Sequence, residues 1–156
     1  MSRRDVALDS NMFLLYVVGL LDASAINKHK RLKQYGAESF ERLCKIISRY
    51  DRVLVTAGCL AEVSDLIEYD KRYSKQLFEL LKVLLLGADG LSEEHVPART
   101  IVEEPSYYRL GVTDTSYVEL AKRGIPVITS DLRLYAQAVA HCDDSVNFAV
   151  LDVCAA

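Results

Sequence analysis

GVTDTSYVELAKRGIPVITSDLRLYAQAV, Gly111 to Val139, reads as a helix, a turn, a buried strand and a second helix. Tyr117, Leu120 and Ala121 fall at i, i+3 and i+4 on one apolar side of the first helix, and Gly124 is placed to end it. Pro126-Val127-Ile128-Thr129 then runs on as a short strand. A helix that feeds a parallel strand runs antiparallel to it, so the helix start and the strand's carboxyl end share one edge of the sheet. Asp114 and Asp131 are thereby expected side by side.

Outward from this stretch the chain repeats the same alternation. Val6-Ala7-Leu8 reads as a short buried strand, broken by Asp9-Ser10-Asn11 before the almost wholly apolar run Met12 to Val18, a buried helix capped from that polar triplet. Ala23 to Gly36 is basic, with Lys28, Lys30, Arg31 and Lys33, and is expected to form an exposed helical arm. An amphipathic helix carrying Phe40, Leu43, Ile46 and Ile47 follows. Val53-Leu54-Val55-Thr56 has the continuous β-branched character of an interior parallel strand and leads through Ala57-Gly58 into a helix with Leu60, Val63, Leu66 and Ile67 inward. Glu62 lies near the start of that helix. A further helix carries Leu77, Leu80, Leu81, Leu84 and Leu85 and stops at Gly87. Beyond a polar loop containing Pro97, Thr100-Ile101-Val102 is expected to be a brief strand, and Asn147 to Leu151 a final one.

The alternation predicts an α/β sandwich with about five mostly parallel strands. The length of 156 residues, 51% of them hydrophobic and 26% charged, suits a single domain over residues 1–156. The net charge of −3 means that a nucleic-acid partner would be held by a local basic patch or by metal ions rather than by an overall positive field. Cys44, Cys59, Cys142 and Cys154 stand singly with no CxxC pair, as expected of reduced, buried thiols rather than a disulfide or zinc framework. The apolar run Met12 to Leu21 is far shorter than a membrane span and does not follow a basic leader, so the expectation is a cytoplasmic protein with no membrane partner.

In parallel α/β sheets the carboxyl edge of the strands is the working edge. Asp9 ends the first strand, Glu62 follows the second, and Asp114 and Asp131 flank the Val127 strand, so four carboxylates should converge. At an effective dielectric of about 20, two such charges about 4 Å apart repel by roughly 4 kcal/mol. Either some carboxyls are protonated or a hard divalent cation lies among them, and an oxygen-only donor set favours Mg²⁺ or Mn²⁺ over zinc. Such a cation acidifies water and offsets phosphate charge, which points to phosphodiester hydrolysis without a histidine or a covalent nucleophile. Each acid also has a simpler role open to it, since Asp9, Asp114 and Asp131 could each cap a helix and Glu62 could be a solvated first-turn residue. Convergence from three separate strand–helix junctions favours the shared site.

Asn11, Ser10, Thr113 and Ser130 stand beside these acids and could orient water or phosphate, although turns recruit the same residues. Lys28, Lys30 and Arg31 could contact a phosphate backbone or simply be a solvated face. Tyr107-Tyr108 could stack bases or pack inward.

LDSN near the start, the AEV helix with its central Glu62, GVTDTSYVELAKRGIPVITSD and a terminal strand together resemble the PIN-domain family, the PilT N-terminus-like ribonucleases, over essentially the whole chain. The resemblance implies a three-layer Rossmann-like sandwich with strand order 3-2-1-4-5 and a Mg²⁺- or Mn²⁺-dependent endoribonuclease. It carries the family's acids to Asp9, Glu62, Asp114 and Asp131, with Thr129, Ser130 and Asn11 in support. Short members of this kind include toxins of toxin–antitoxin pairs, which implies an RNA substrate, an antitoxin protein and a homodimer as partners. The reading from another class is a catalytically inactive PIN-like module that binds RNA or protein and keeps its acids as caps. A dehalogenase-type phosphatase would want Asp-x-Asp after the first strand, where the third place is Asn11, and Gly-rich nucleotide loops are absent.

Overall fold

The computed structural model describes residues 2–87 and 90–154, with the side chains of Val153 and Cys154 outside the description. The strand β1 (Asp5–Leu8) is buried at Val6, Ala7 and Leu8 and occupies the middle of a five-stranded sheet. To one side lie β2 (Arg52–Val55) and β3 (Leu91–Glu93), to the other β4 (Val127–Thr129) and β5 (Val146–Asn147), in the order β3-β2-β1-β4-β5. Every pairing is parallel, with Val6 opposite Val53 and Ala7 opposite both Leu54 and Val127. Strands buried on both faces carry apolar residues at nearly every position, which is why VAL, VLV and VI lack the alternation of a half-exposed strand, Thr129 alone bringing a hydroxyl to the end of β4. At the amino edge, Arg52 donates to both oxygens of Asp5 at 2.9 and 2.8 Å and ties β1 to β2.

Helices complete a Rossmann-like three-layer sandwich. α1 (Ser10–Leu21) follows β1 directly and buries Met12, Phe13, Leu14, Leu15, Val17 and Val18, because it packs against α2 (Ala37–Ile47), α3 (Ala57–Tyr69) and α4 (Ser74–Leu86) as well as the sheet. On the other side of the order reversal, α6 (Tyr107–Lys122) packs against α5 (Ala98–Glu103) and α7 (Leu132–His141) and buries Tyr117, Val118, Leu120 and Ala121. The chain ends in α8 (Phe148–Cys154), whose Phe148 is fully buried. Buried apolar residues from Val6 to Phe148 form one cluster. Among the described residues no helix is long and apolar enough to cross a membrane.

Three sequence expectations are corrected. Thr100-Ile101-Val102 is helical within α5, because Pro97 opens a helix at Ala98 whose Ile101 faces the core, and the third strand is instead Leu91–Glu93. The terminal strand is only Val146–Asn147, and Phe148 to Leu151 turn into α8, with Val150 and Leu151 left exposed. The basic segment is no free arm. Two short 3-10 turns, Ala23–Lys28 and Lys30–Leu32, fold it back so that Ala25, Ile26, His29, Leu32 and Tyr35 are buried. Cys44, Cys59 and Cys142 are free thiols, Cys59 buried, and the side chain of Cys154 lies outside the described residues.

Candidate functional site

The order of strands reverses between β1 and β4, and a crevice opens outside the carboxyl ends of the two strands, as parallel sheets favour. Its volume is about 510 Å³, and Asp9, Glu62, Asp114 and Asp131 all line it. Each arrives from a different element. β1 delivers Asp9, α3 delivers Glu62 one and a half turns from its start, the carboxyl part of α6 delivers Asp114, and β4 leads to Asp131.

Asp9 is 3% exposed and caps α1, its Oδ1 accepting the Met12 N–H at 2.9 Å. Its Oδ2 accepts the hydroxyl of Thr129, which in turn accepts the backbone N–H of Asp131 at 2.9 Å. Asp131 caps α7, accepting from the N–H groups of Arg133 at 2.8 Å and Leu134 at 3.3 Å. The capping roles open to these two acids are therefore real. Capping does not account for Asp114, which sits inside α6 beyond a bend at Gly111, where φ is 78° and ψ −179°. That conformation is accessible essentially to glycine alone, and it turns the helix so that residues 112–114 face the crevice.

The electrostatics differ from those of ordinary surface caps. Burial pushes the Asp9 carboxyl up to about 7 against the lowering pull of the Thr129 and Met12 hydrogen bonds, and the charges of Asp114 and Asp131 push the same way as burial. Asp114 is raised to about 6 by its own burial and then by Asp131 and Glu62, with Arg133 opposing. The ionised cluster is thus short of positive charge. Among the described residues no histidine or cysteine lines the crevice, so the donors are all oxygens, and the buried Ser10 hydroxyl on its wall has no hydrogen-bond partner there. This donor chemistry fits a hard divalent cation. Among the described residues no three carboxylates, imidazoles or thiolates are gathered into a ready cage, so the expectation that the acids meet at contact range is not met. A small hydrated cation, which keeps several of its waters, needs fewer direct ligands than such a cage provides.

The supporting residues separate. Asn11 and Thr113 line the crevice, and Thr129 is fully buried beneath it as the link between Asp9 and Asp131. Ser130 does not line the crevice and lies near Tyr35 instead. Of Lys28, Lys30 and Arg31, Arg31 reaches the crevice wall, while Lys30 enters a neighbouring depression and Lys28 lines neither. Tyr107 packs on the core and its neighbour Tyr108 is 88% exposed. Sequence reading missed Arg133, which lines the crevice and pairs with Asp131 at 3.7 Å, and the apolar wall of Leu66, Leu110 and Val112. The position of Arg133 two residues past a cap aspartate was the available signal.

No family model matches the chain, and no curated protein matches it. Among solved structures the chain is similar to the crystal structure of PAE2754 from Pyrobaculum aerophilum, with a TM-score of 0.51 over 96% of this chain and 93% of that one at 16% identity. That likeness speaks to the fold.

Proposed function

We propose that the crevice is the active site of a Mg²⁺- or Mn²⁺-dependent endoribonuclease. The observation that carries this reading is the convergence of four carboxylates from four elements on one crevice at the switch point of a parallel sheet, two of them raised by burial and by their neighbours' charge. A cluster of that kind is costly to a fold that has no use for a cation. Asp9, Asp114 and Asp131, with Glu62, would hold the metal. When bound, the cation supplies an acidified water and offsets charge on a phosphate.

The chain's own groups do the rest. Thr129 holds Asp9 and the Asp131 backbone in register. Arg133 and Arg31 stand on the crevice wall with the only positive side chains there among the described residues, suited to the non-bridging oxygens of a phosphodiester. The resemblance to toxins of toxin–antitoxin pairs extends this reading to an antitoxin protein covering the acidic crevice and to a homodimer.

The test is cleavage of a labelled single-stranded RNA in Mg²⁺ or Mn²⁺ by the intact chain and by Asp9→Asn and Asp114→Asn. The reading expects metal-dependent cleavage that falls by at least about a hundredfold in each variant. Cleavage undiminished in both variants contradicts it, and RNA binding without any cleavage in either metal favours the inactive binding module.

A further inference from the structure

Beside the acidic crevice lies a second depression of about 280 Å³, lined by His29, Lys30, Arg31, Leu66 and Tyr69. The two hollows share a wall, because Arg31 and Leu66 line both. Glu62, Leu66 and Tyr69 fall at i, i+4 and i+7 along α3, so one face of that helix runs from the acids to Tyr69. The axial distance between Glu62 and Tyr69 is about 10 Å, which one or two nucleotides span.

The depression is built rather than incidental. The His29 ring is 4% exposed and braces the basic turn against α3. Its Nε2 donates to the Leu66 carbonyl at 3.1 Å, and its Nδ1 accepts the Arg31 backbone N–H at 3.1 Å. This sets Lys30 and Arg31 against the end of α3. The Lys30 ammonium lies 4.9 Å from the centre of the Tyr69 ring and donates to the Tyr69 hydroxyl at 3.3 Å. Tyr69 itself is 68% exposed, an aromatic face held by a cation yet open to solvent.

A hollow with an apolar floor, an exposed aromatic ring and two cations, next to an acid cluster, has the chemistry of a nucleotide subsite: a base stacks on the ring and its phosphate meets the cations. We propose that Tyr69, with Leu66 beneath and Lys30 and Arg31 beside it, is a nucleobase subsite that anchors single-stranded RNA one or two nucleotides from the acidic crevice. The inference rests on reading that crevice as an RNA-handling centre. Stacking requires an unpaired base, so the subsite selects single strands over duplexes. Arg31, on the shared wall, would bridge the phosphate between the stacked base and the acids. Lys28 and Lys33 add exposed positive charge on the same turn without lining the hollow.

Binding measured without cleavage separates the two claims. Fluorescence anisotropy of a labelled eight-nucleotide oligoadenylate is followed in the Asp114→Asn background, alone and with Tyr69→Ala, Tyr69→Phe or Arg31→Ala added. Tyr69→Ala is expected to weaken binding about tenfold and Tyr69→Phe to stay within about twofold of the parent. Arg31→Ala is expected to lower the slope of log affinity against log salt by about one. A duplex of the same length competes poorly. The subsite is overturned if Tyr69→Ala binds like the parent, if the duplex competes as well as the single strand, or if the oligoadenylate does not bind at low salt. Loss of binding in Tyr69→Ala together with an intact chain that never cleaves RNA upholds the subsite and removes only the catalytic reading.

Discussion

Thr129 donates its one hydroxyl proton to Asp9 across 120 residues of sequence, from the end of β4 to the end of β1. The same oxygen accepts the Asp131 N–H, so a single buried side chain sets two of the four acids relative to each other. Thr129→Val keeps the shape and removes both bonds. It leaves a buried carboxylate one partner short and a half-buried N–H unpaired, at a cost of about 1–3 kcal/mol. Because the Thr129 bond lowers the Asp9 carboxyl, its loss should move that carboxyl further up. Urea denaturation reads the first effect and a carbon-13 carboxyl titration the second.

The metal-free protein should lose stability as pH rises toward neutrality. Asp9 and Asp114 reach about 7 and about 6 in the folded chain, above their ordinary values, so the folded state binds more protons than the unfolded chain between about pH 4 and pH 7. Their favourable contribution is complete below the unfolded value and is lost as pH passes through the folded ones. In chelator, the melting temperature should therefore fall between pH 5 and pH 7.5 by more than it does in Asp9→Asn. At pH 7.5 Asp9→Asn should be the more stable protein, by about 2–4 kcal/mol from the size of the shift. An asparagine amide oxygen can still accept from Met12. Equal pH dependence in the two proteins would contradict the burial of a charged Asp9.

Gly111→Ala should cost about 1–3 kcal/mol, because an added Cβ disfavours the φ of 78° with ψ near 180° that bends α6. Among the described residues outside its own turn of chain, nothing lies within 4 Å of that Cβ, so the cost is conformational and not a clash. Since the bend aims residues 112–114 at the crevice, the Asp114 titration should shift along with stability, whereas a purely structural bend would leave it in place.

Gly19→Ala tests the packing of α1. Its Cβ would overlap the Phe40 ring of α2, which leans over the helix at that point. Overpacking of this kind costs about 1–3 kcal/mol, read as a lower urea midpoint with an unchanged slope and with the acid titrations unmoved.

Much of this was legible in sequence, for a physical reason. β1, β2 and β4 are buried on both faces, so their apolar runs are continuous and unmistakable, and the junction rule places Asp9, Asp114 and Asp131 on one edge. The edge strand Leu91–Glu93 buries only Leu91 and so carries almost no signal, whereas β-branched Thr100-Ile101-Val102 imitates a strand that the helix start after Pro97 forbids. The basic segment read as solvent-facing because its anchors, Ile26, His29, Leu32 and Tyr35, recur every three residues, the period of 3-10 turns rather than of an α-helix or a strand. The apolar crevice wall depends on the bend at Gly111, a tertiary feature that periodicity does not encode.

Whether Asp9, Glu62, Asp114 and Asp131 hold a divalent cation, as proposed, is decided by calorimetric titration of Mn²⁺ into the metal-free chain at pH 7.5, alongside Asp9→Asn and Asp114→Asn. The proposed site requires saturable binding by the parent that weakens at least about tenfold in each variant, with affinity falling as pH drops toward 5 because the ligands must give up protons to bind. No saturable binding by the parent, or binding unchanged in both variants, would contradict it.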